Sequence, residues 1–259
     1  MGILNVTPDS FSDGGRYLDP GLAEQRALKM EEEGAHIIDI GGESSRPGAR
    51  PISTQEEIKR IRPVFKRLSK KIKIPLSIDT YKYEVAAAAL GEGAALVNDI
   101  RALGADKRMA KLIARHKAGV ALMHMKGTPE TMQERPSYKN ILSEIKSALK
   151  SYVGKALDAG IDRERILVDP GFGFGKTPEQ NAQMLFNLQF LRGLKVPILV
   201  GLSRKSFIGF FSGTSHASDR LYGSVAAAAI AIDRGAHVLR VHDVAAHRQA
   251  VLVTDRVWQ

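Results

Sequence analysis

Polar and charged side chains in this chain recur at one kind of place, the end of a short run dense in Ile, Val and Leu. Asn5 closes one such run, Asp39 sits in the next, and Asp79-Thr80, Asn98-Asp99, His124 and Asp169 close four more. Ser203 to Lys205 follow a seventh, and Arg240 with His242-Asp243 completes an eighth. Singly, each has an ordinary explanation: Asx residues often cap the following helix, and a buried His is commonly only hydrogen-bonded. Recurrence at every run points instead to one shared site. Two carboxylates, Asp79 and Asp169, with the amide of Asn98 make an acceptor-rich floor, suited to a ligand edge with several N–H donors. Arg240, Lys205 and His242 put positive charge on the adjoining side, suited to a phosphate or pyrophosphate. A ligand with both features is an aminated heterocycle bearing a phosphorylated arm.

The elements that must hold these residues alternate along the chain. Strands are expected at 2–6, 36–40, 74–78, 95–98, 120–123, 166–169, 197–201 and 236–241. Amphipathic helices are expected at 22–33, 54–71, 83–92, 106–116, 138–159, 178–191, 218–234 and 244–253. No Pro-, Ser- or Gly-rich linker divides the 259 residues, so residues 1–259 read as a single domain. Eight βα units at about 30 residues each match a TIM (β/α)8 barrel. The strands lack an alternating polar face, as expected where helices and barrel interior cover both sides. Local pattern leaves a doubly wound open sheet as the alternative; the unit count favours the barrel. In a barrel the chemistry lies at the carboxyl ends of the strands, where the polar residues fall.

Two long loops sharpen the picture. Residues 7–15 and 41–48 are rich in Gly, Ser and Pro yet carry Phe11 and Arg46, in the manner of lids. The stretch Gly171-Phe172-Gly173-Phe174-Gly175-Lys176-Thr177 imitates a phosphate loop, but three residues separate its first Gly from the Gly-Lys pair where Walker A needs four. It is read as a flexible loop placing Phe174 over the pocket. With no HxH or HExxH, a protein-caged metal is not expected, whereas Mg²⁺ held mostly by a diphosphate ligand is. The absence of cysteine excludes disulfides, thiolate metal sites and a Cys nucleophile. No apolar run approaches the roughly 20 residues that span a bilayer, and no secretory signal opens the chain, so a cytoplasmic protein without a membrane partner is expected. The net charge of +10 is spread along the chain without aromatic stripes, which argues against a nucleic-acid partner.

Several segments strongly resemble dihydropteroate synthases: MGILNVTPDSFSDGG at 1–15, GGESSRPGA at 41–49, SIDT at 77–80, VNDI at 97–100 and LMHMKG at 122–127. DPGFGFGK at 169–176, GLSRKS at 201–206 and RVHDV at 240–244 complete the set in family order. The resemblance implies a TIM barrel that condenses 6-hydroxymethyl-7,8-dihydropterin diphosphate with p-aminobenzoate, giving dihydropteroate and pyrophosphate. It implies a pterin pocket of Asp79, Asn98, Ile100, Met123, Asp169, Phe174, Gly201 and Lys205, and a diphosphate site of Asn5, Arg240 and His242, with Mg²⁺ at Asn5. It implies a p-aminobenzoate site of Phe11, Ser45, Arg46, Pro47, Phe174 and Ser206, the last opening a short helix whose N-terminus favours anions. Asp79, Asp169, Lys205 and Asp13 are the implied catalytic residues. Pyrophosphate leaves a cation on the pterin, which the two buried carboxylates favour over the neutral ground state.

Position 45 is Ser where the family often has Thr, keeping the hydroxyl without the methyl. The family usually has an N-terminal hairpin before the first strand, and the sequence opens inside that strand, so this floor hairpin is expected to be missing. A methyltetrahydrofolate-binding methyltransferase domain shares the fold and the pterin carboxylates but needs neither the diphosphate set nor the long loops. A noncatalytic pterin- or nucleic-acid-binding paralogue is the other alternative. The resemblance implies a homodimer; the alanine-rich helix at 225–232 offers close packing, either between subunits or on the barrel.

Overall fold

The computed structural model describes residues 1–7, 19–46, 48–132 and 136–257. Strands β1 (Gly2–Asn5), β2 (Ile38–Gly41), β3 (Leu76–Asp79), β4 (Leu96–Asp99), β5 (Gly119–Met123) and β6 (Ile166–Asp169) form one parallel sheet in chain order. Strands β7 (Leu199–Val200) and β8 (Val238–Leu239) form a parallel pair. Single bridges join the two pieces at both sides, Val168 to Ile198 and Gly2 to Val241, giving the (β/α)8 barrel arrangement. The helices α1 (Pro20–Glu32), α2 (Thr54–Leu68), α3 (Tyr83–Gly91), α4 (Arg108–Arg115), α5 (Ile141–Asp158), α6 (Pro178–Phe186), α7 (Ser206–Ser212), α8 (Leu221–Asp233) and α9 (Val244–Val257) lie between and after the strands.

The strands carry no solvated face. Ile38, Ile40, Ile78, Val97, Val120 and Leu122 are buried, and they share one core with helix residues such as Met30, Ile61, Phe65 and Met109. Each such side chain contributes roughly 1.5–3 kcal/mol on leaving water. Helix α2 shows how the polar end of an element is managed: Ser53 Oγ accepts from Glu56 N at 3.2 Å, while Ile61, Val64, Phe65 and Leu68 turn inward. Helix α6 begins with a reciprocal capping box between Thr177 and Gln180.

Departures from the sequence pattern have local causes. Strand β3 starts at Leu76 rather than 74 because Pro75 has no N–H to give the ladder; Glu31 Oε1 instead takes the N–H groups of Lys73 and Ile74, at 2.8 and 3.1 Å. Helix α5 starts at Ile141 rather than 138 because Asn140 caps Ser143 N at 3.0 Å. That leaves Tyr138 outside the helix, its hydroxyl donating to Gly175 O at 2.9 Å. Strands β7 and β8 are two residues each; at their base His237 Nδ1 accepts the Ile198 N–H at 3.1 Å in place of a ladder carbonyl.

Register sets the level of the site. Asn5 is opposite Gly41, Gly41 opposite Asp79, and Asp79 opposite Asn98. Met123 is opposite Asp169. Beyond β6 the chain turns through Gly171, Gly173 and Gly175, all at positive φ. A methyl on Gly171 would sit 2.0 Å from His124 O, and one on Gly175 2.5 Å from Lys126 O. Gly171 and Gly175 therefore answer a packing demand against the β5 loop, while Gly173 faces the Lys205 side chain. Gly171→Ala is expected to cost ~3 kcal/mol or more. Gly213→Ala, also at positive φ but with open space around it, should cost only ~1–2 kcal/mol; urea unfolding of the two variants checks the contrast.

Candidate active site

A cleft of about 340 Å³ opens at the carboxyl ends of the strands. Asn5, Asp79, Asn98 and Asp169 reach it from β1, β3, β4 and β6, with Ile100 and Met123 as apolar wall. Gly201, Lys205 and Ser206 line it after β7, and Arg240 and His242 after β8. Phe174 enters from the glycine loop, and Ser45 and Arg46 from the segment between β2 and α2. The structure thus brings these candidate residues to one cavity. Asp13, Phe11 and Pro47 lie outside the described residues.

Charge inside the cleft is arranged in opposition. Arg240 Nε donates to Asp39 Oδ2 and Nη2 to Asp79 Oδ2, both at 2.6 Å. Asn98 Nδ2 donates to the same Asp39 oxygen at 3.1 Å. Asp169 Oδ1 accepts the Gly171 N–H at 2.7 Å. Lys205 Nζ stands 4.2 Å from the centre of the Phe174 ring, a cation–π contact. His242 Nδ1 is 3.2 Å from Ser203 Oγ.

Burial shifts these groups toward neutrality. Desolvation pushes Asp79 up to about 7, against the opposing pull of Arg240. It raises Asp169 as well, against the Gly171 N–H and the charge of Lys205. Lys205 is brought down to about 8, by burial and then by Arg240. His242 falls well below its ordinary value, through burial and the surrounding Arg240, Arg204, Arg46 and Lys205, and is a neutral imidazole at pH 7. Burial works against charge on Arg240 too, but Asp39 and Asp79 raise it on balance. The cavity therefore offers acceptors on one side and donors of tunable charge on the other.

Three strand-end residues of the sequence pattern serve the fold instead. Asp99 accepts the N–H groups of Arg101 and Leu103 at 2.8 and 2.7 Å and stabilises the turn where Ala102 and Leu103 take positive φ. Asp243 pairs with Arg204 through two bonds of 2.9 and 2.6 Å. His124 faces Lys176, its Nδ1 3.2 Å from Nζ.

The glycine loop differs from the flexible segment expected. Buried Lys176 donates to Gly171 O at 2.9 Å and Phe174 O at 2.8 Å, and lies 3.3 Å from His124 O. Asn181 Oδ1 accepts from Gly173 N at 2.7 Å, and Tyr138 holds Gly175 O. Phe172, buried, stacks on Phe207 with ring centres 6.2 Å apart. Bonded at nearly every residue, the loop presents Phe174 from a fixed frame. The lysine that imitates a phosphate-loop residue is a staple for carbonyls.

Sequence reasoning missed the support of the segment after β2. Lys82 Nζ donates to Glu43 Oε2 at 2.7 Å, Glu57 Oε2 at 2.8 Å and Ile52 O at 2.7 Å, while Glu43 also takes the Ile52 N–H at 2.7 Å. This cluster ties both ends of the segment carrying Ser45 and Arg46. Glu43 stood within a recognised motif; Lys82 and Glu57, on other elements, gave no local signal.

A barrel with buried carboxylates and cations at its mouth is the arrangement of an enzyme site at the carboxyl ends of the strands. A family model described as pterin binding enzyme matches residues 1–242, and the chain belongs to that family. Its relatives are dihydropteroate synthases: that of Synechocystis sp. is 44% identical over 259 residues, covering 100% of this chain and 90% of the relative. The Escherichia coli K12 protein is 43% identical over 255 residues, 98% of this chain and 90% of the relative. Among solved structures, Yersinia pestis dihydropteroate synthase with a sulfonamide drug complex has a TM-score of 0.96 at 42% identity, covering 100% of this chain and 93% of that one. The Xanthomonas albilineans enzyme in complex with 7,8-dihydropteroate has a TM-score of 0.88 at 42% identity, with 100% and 92% covered.

Burial of Lys176 has a measurable signature. Its pKa falls from 10.5 to about 7, through desolvation opposed by Asp169. Between those values the unfolded chain holds the extra proton, so this group's contribution to stability is lowest below pH 7 and recovers as pH rises toward 10.5. Comparing wild type with Lys176→Met by denaturant unfolding, the stability difference should move in favour of wild type by about 2 kcal/mol from pH 7 to 9.

Proposed function

We propose that the chain condenses 6-hydroxymethyl-7,8-dihydropterin diphosphate with p-aminobenzoate, yielding 7,8-dihydropteroate and pyrophosphate, and so serves folate biosynthesis. One observation carries the assignment of parts: two buried carboxylates, Asp79 and Asp169, share a cleft with Lys205, Arg240 and His242. The ring's N–H edge is matched by Asp79, Asp169 and the Asn98 carbonyl, with Ile100, Met123 and Gly201 around its faces. A carboxylate whose charged form burial disfavours is drawn back toward it when N–H donors and a developing cation arrive beside it. Asp79 and Asp169 thus stabilise the transition state more than the ground state. Lys205 bridges the two sides, near the ring and within reach of its polar rim.

Arg240 and neutral His242 meet the diphosphate as it gains charge on leaving, His242 as an N–H donor. Among the described residues no group of three or more His, Asp or Glu is placed to hold a metal, yet Asn5 contributes an amide to the same cleft. That donor set fits an ion such as Mg²⁺ whose ligands come mainly from diphosphate and water, with Asn5 as the protein's share. Such an ion, when bound, adds positive charge against the leaving group. The p-aminobenzoate is assigned to Phe174, Ser45, Arg46 and Ser206, with Phe11 and Pro47 as further members, and Asp13 is assigned to the reacting carbon. Its amine is already a nucleophile, so the site needs no strong base.

The reading includes a homodimer. Ala227, Ala228 and Ala231 are buried within the chain, so the small-residue face of α8 packs on its own barrel. Exposed apolar residues near it include Phe210 and Phe211 of α7 and Tyr222 and Ile230 of α8 itself, Tyr222 at 86% exposure. A cytoplasmic location also belongs to it, supported by a chain without cysteine and, among the described residues, no helix long and apolar enough to cross a membrane.

Pyrophosphate release on mixing the two substrates tests the activity. Asp169→Asn and Lys205→Ala should each reduce kcat/KM at least ~100-fold with unchanged circular dichroism; near-normal rates for both would remove the pocket assignment. Light scattering should show a dimer that Phe211→Glu with Tyr222→Glu converts to monomer, and a wild-type monomer would overturn the dimer.

A further inference from the structure

The established motifs leave one fully buried carboxylate at the cleft without a task. Asp39 lies on β2, opposite Ile3 and Ser77, one step below the level of Asp79. Its side chain has 0% exposure, deeper than Asp79 or Asp169. The next residue on the same face is Gly41, beside Asn5 and Asp79. Arg240 reaches Asp39 from the end of β8, Nε to Oδ2 at 2.6 Å, and Asn98 Nδ2 meets the same oxygen at 3.1 Å.

We infer that Asp39 is a positioning residue of this site, fixing Arg240 and Asn98 together through one carboxylate oxygen. Both consequences are geometric. An arginine held by Nε has its guanidinium plane set and keeps its terminal nitrogens at the level of the cleft, where Nη2 already meets Asp79. An asparagine whose NH2 is committed to Asp39 offers its carbonyl, not its donors, to a ring edge of N–H groups. A buried carboxylate is costly to a fold unless paired. Here its partners are two residues that face substrate.

The proposal rests on the pterin diphosphate reading, and the test separates the two. Calorimetry with pterin diphosphate is run on wild type, Asp39→Asn, Arg240→Met and the double variant, with thermal melts as a folding control. Asp39→Asn keeps the shape and removes the charge. It should weaken binding about 30-fold, while the KM for p-aminobenzoate stays within about twofold because that site is not touched. In the Arg240→Met background the same substitution should weaken binding less than about fivefold, since the residue acts through Arg240. A merely structural role predicts equal losses in both backgrounds and would overturn the proposal, as would wild-type affinity in Asp39→Asn. Should Asp39→Asn fail to fold, the double variant, in which neither member of the Asp39–Arg240 pair is charged, is compared with Arg240→Met alone; a further loss above about fivefold overturns the proposal. A wild type that binds no pterin diphosphate overturns the functional reading and this inference with it; a wild type that binds normally, with additive losses, overturns Asp39 alone.

Discussion

One guanidinium shared between two buried carboxylates organises the mouth of this barrel. Arg240 comes from the end of β8, Asp39 from β2 and Asp79 from β3, so a single group ties β8 to the adjacent strands β2 and β3 across the interior. Taking these charges out of water is unfavourable, and only short, well-aligned bonds offset it. Register puts Gly41 between Asn5 and Asp79, with Asp39 one step below on the same strand. The same register sets Asp79 opposite Asn98. Backbone pairing therefore decides the electrostatics before any side chain chooses a rotamer.

Supports outside the cleft follow the same logic at lower charge. Lys176 has no carboxylate within ion-pair distance among the described residues and is bound instead by carbonyls and an imidazole. Lys82 sits between Glu43 and Glu57 and is anchored by both. Burial disfavours charge on Lys82, and the two glutamates more than restore it. Each lysine fastens a loop that carries substrate-facing residues, Phe174 in one case and Ser45 with Arg46 in the other. Loops held by buried lysines lose little freedom when a ligand arrives, which is how preorganisation lowers the cost of binding.

The order of strands and helices was legible because hydrophobic runs and amphipathic stretches alternate without interruption. The edges were less so. Strand β3 is cut short by Pro75 and a remote Glu31, and β7 by the His237 ring. These are partners from elsewhere in the fold, invisible to a local pattern. Position relative to strand ends identified the candidate residues as a group, yet could not separate Asp39 from Asp99. Both end or sit within buried strands and both are carboxylates; one faces Arg240 and the other its own turn. Only three-dimensional direction distinguishes them. The glycine loop misled in a different way, since its composition reads as freedom while its bonds make it fixed.

The protonation states of the cleft show why fixity matters to the chemistry. Asp79 near 7 and Lys205 near 8 both lie close to physiological pH, because burial has weakened the preference of each for its charged form. Groups tuned this way respond to charge brought by a ligand. In the proposed reaction a developing pterin cation would draw Asp79 toward the ionised form, and a diphosphate gaining negative charge would draw Lys205 toward the protonated one. The two responses reinforce each other only if the groups stay at fixed separation while the ligand changes. Arg240, held from below by Asp39, keeps its charge throughout and so supplies the constant term between two adjustable ones.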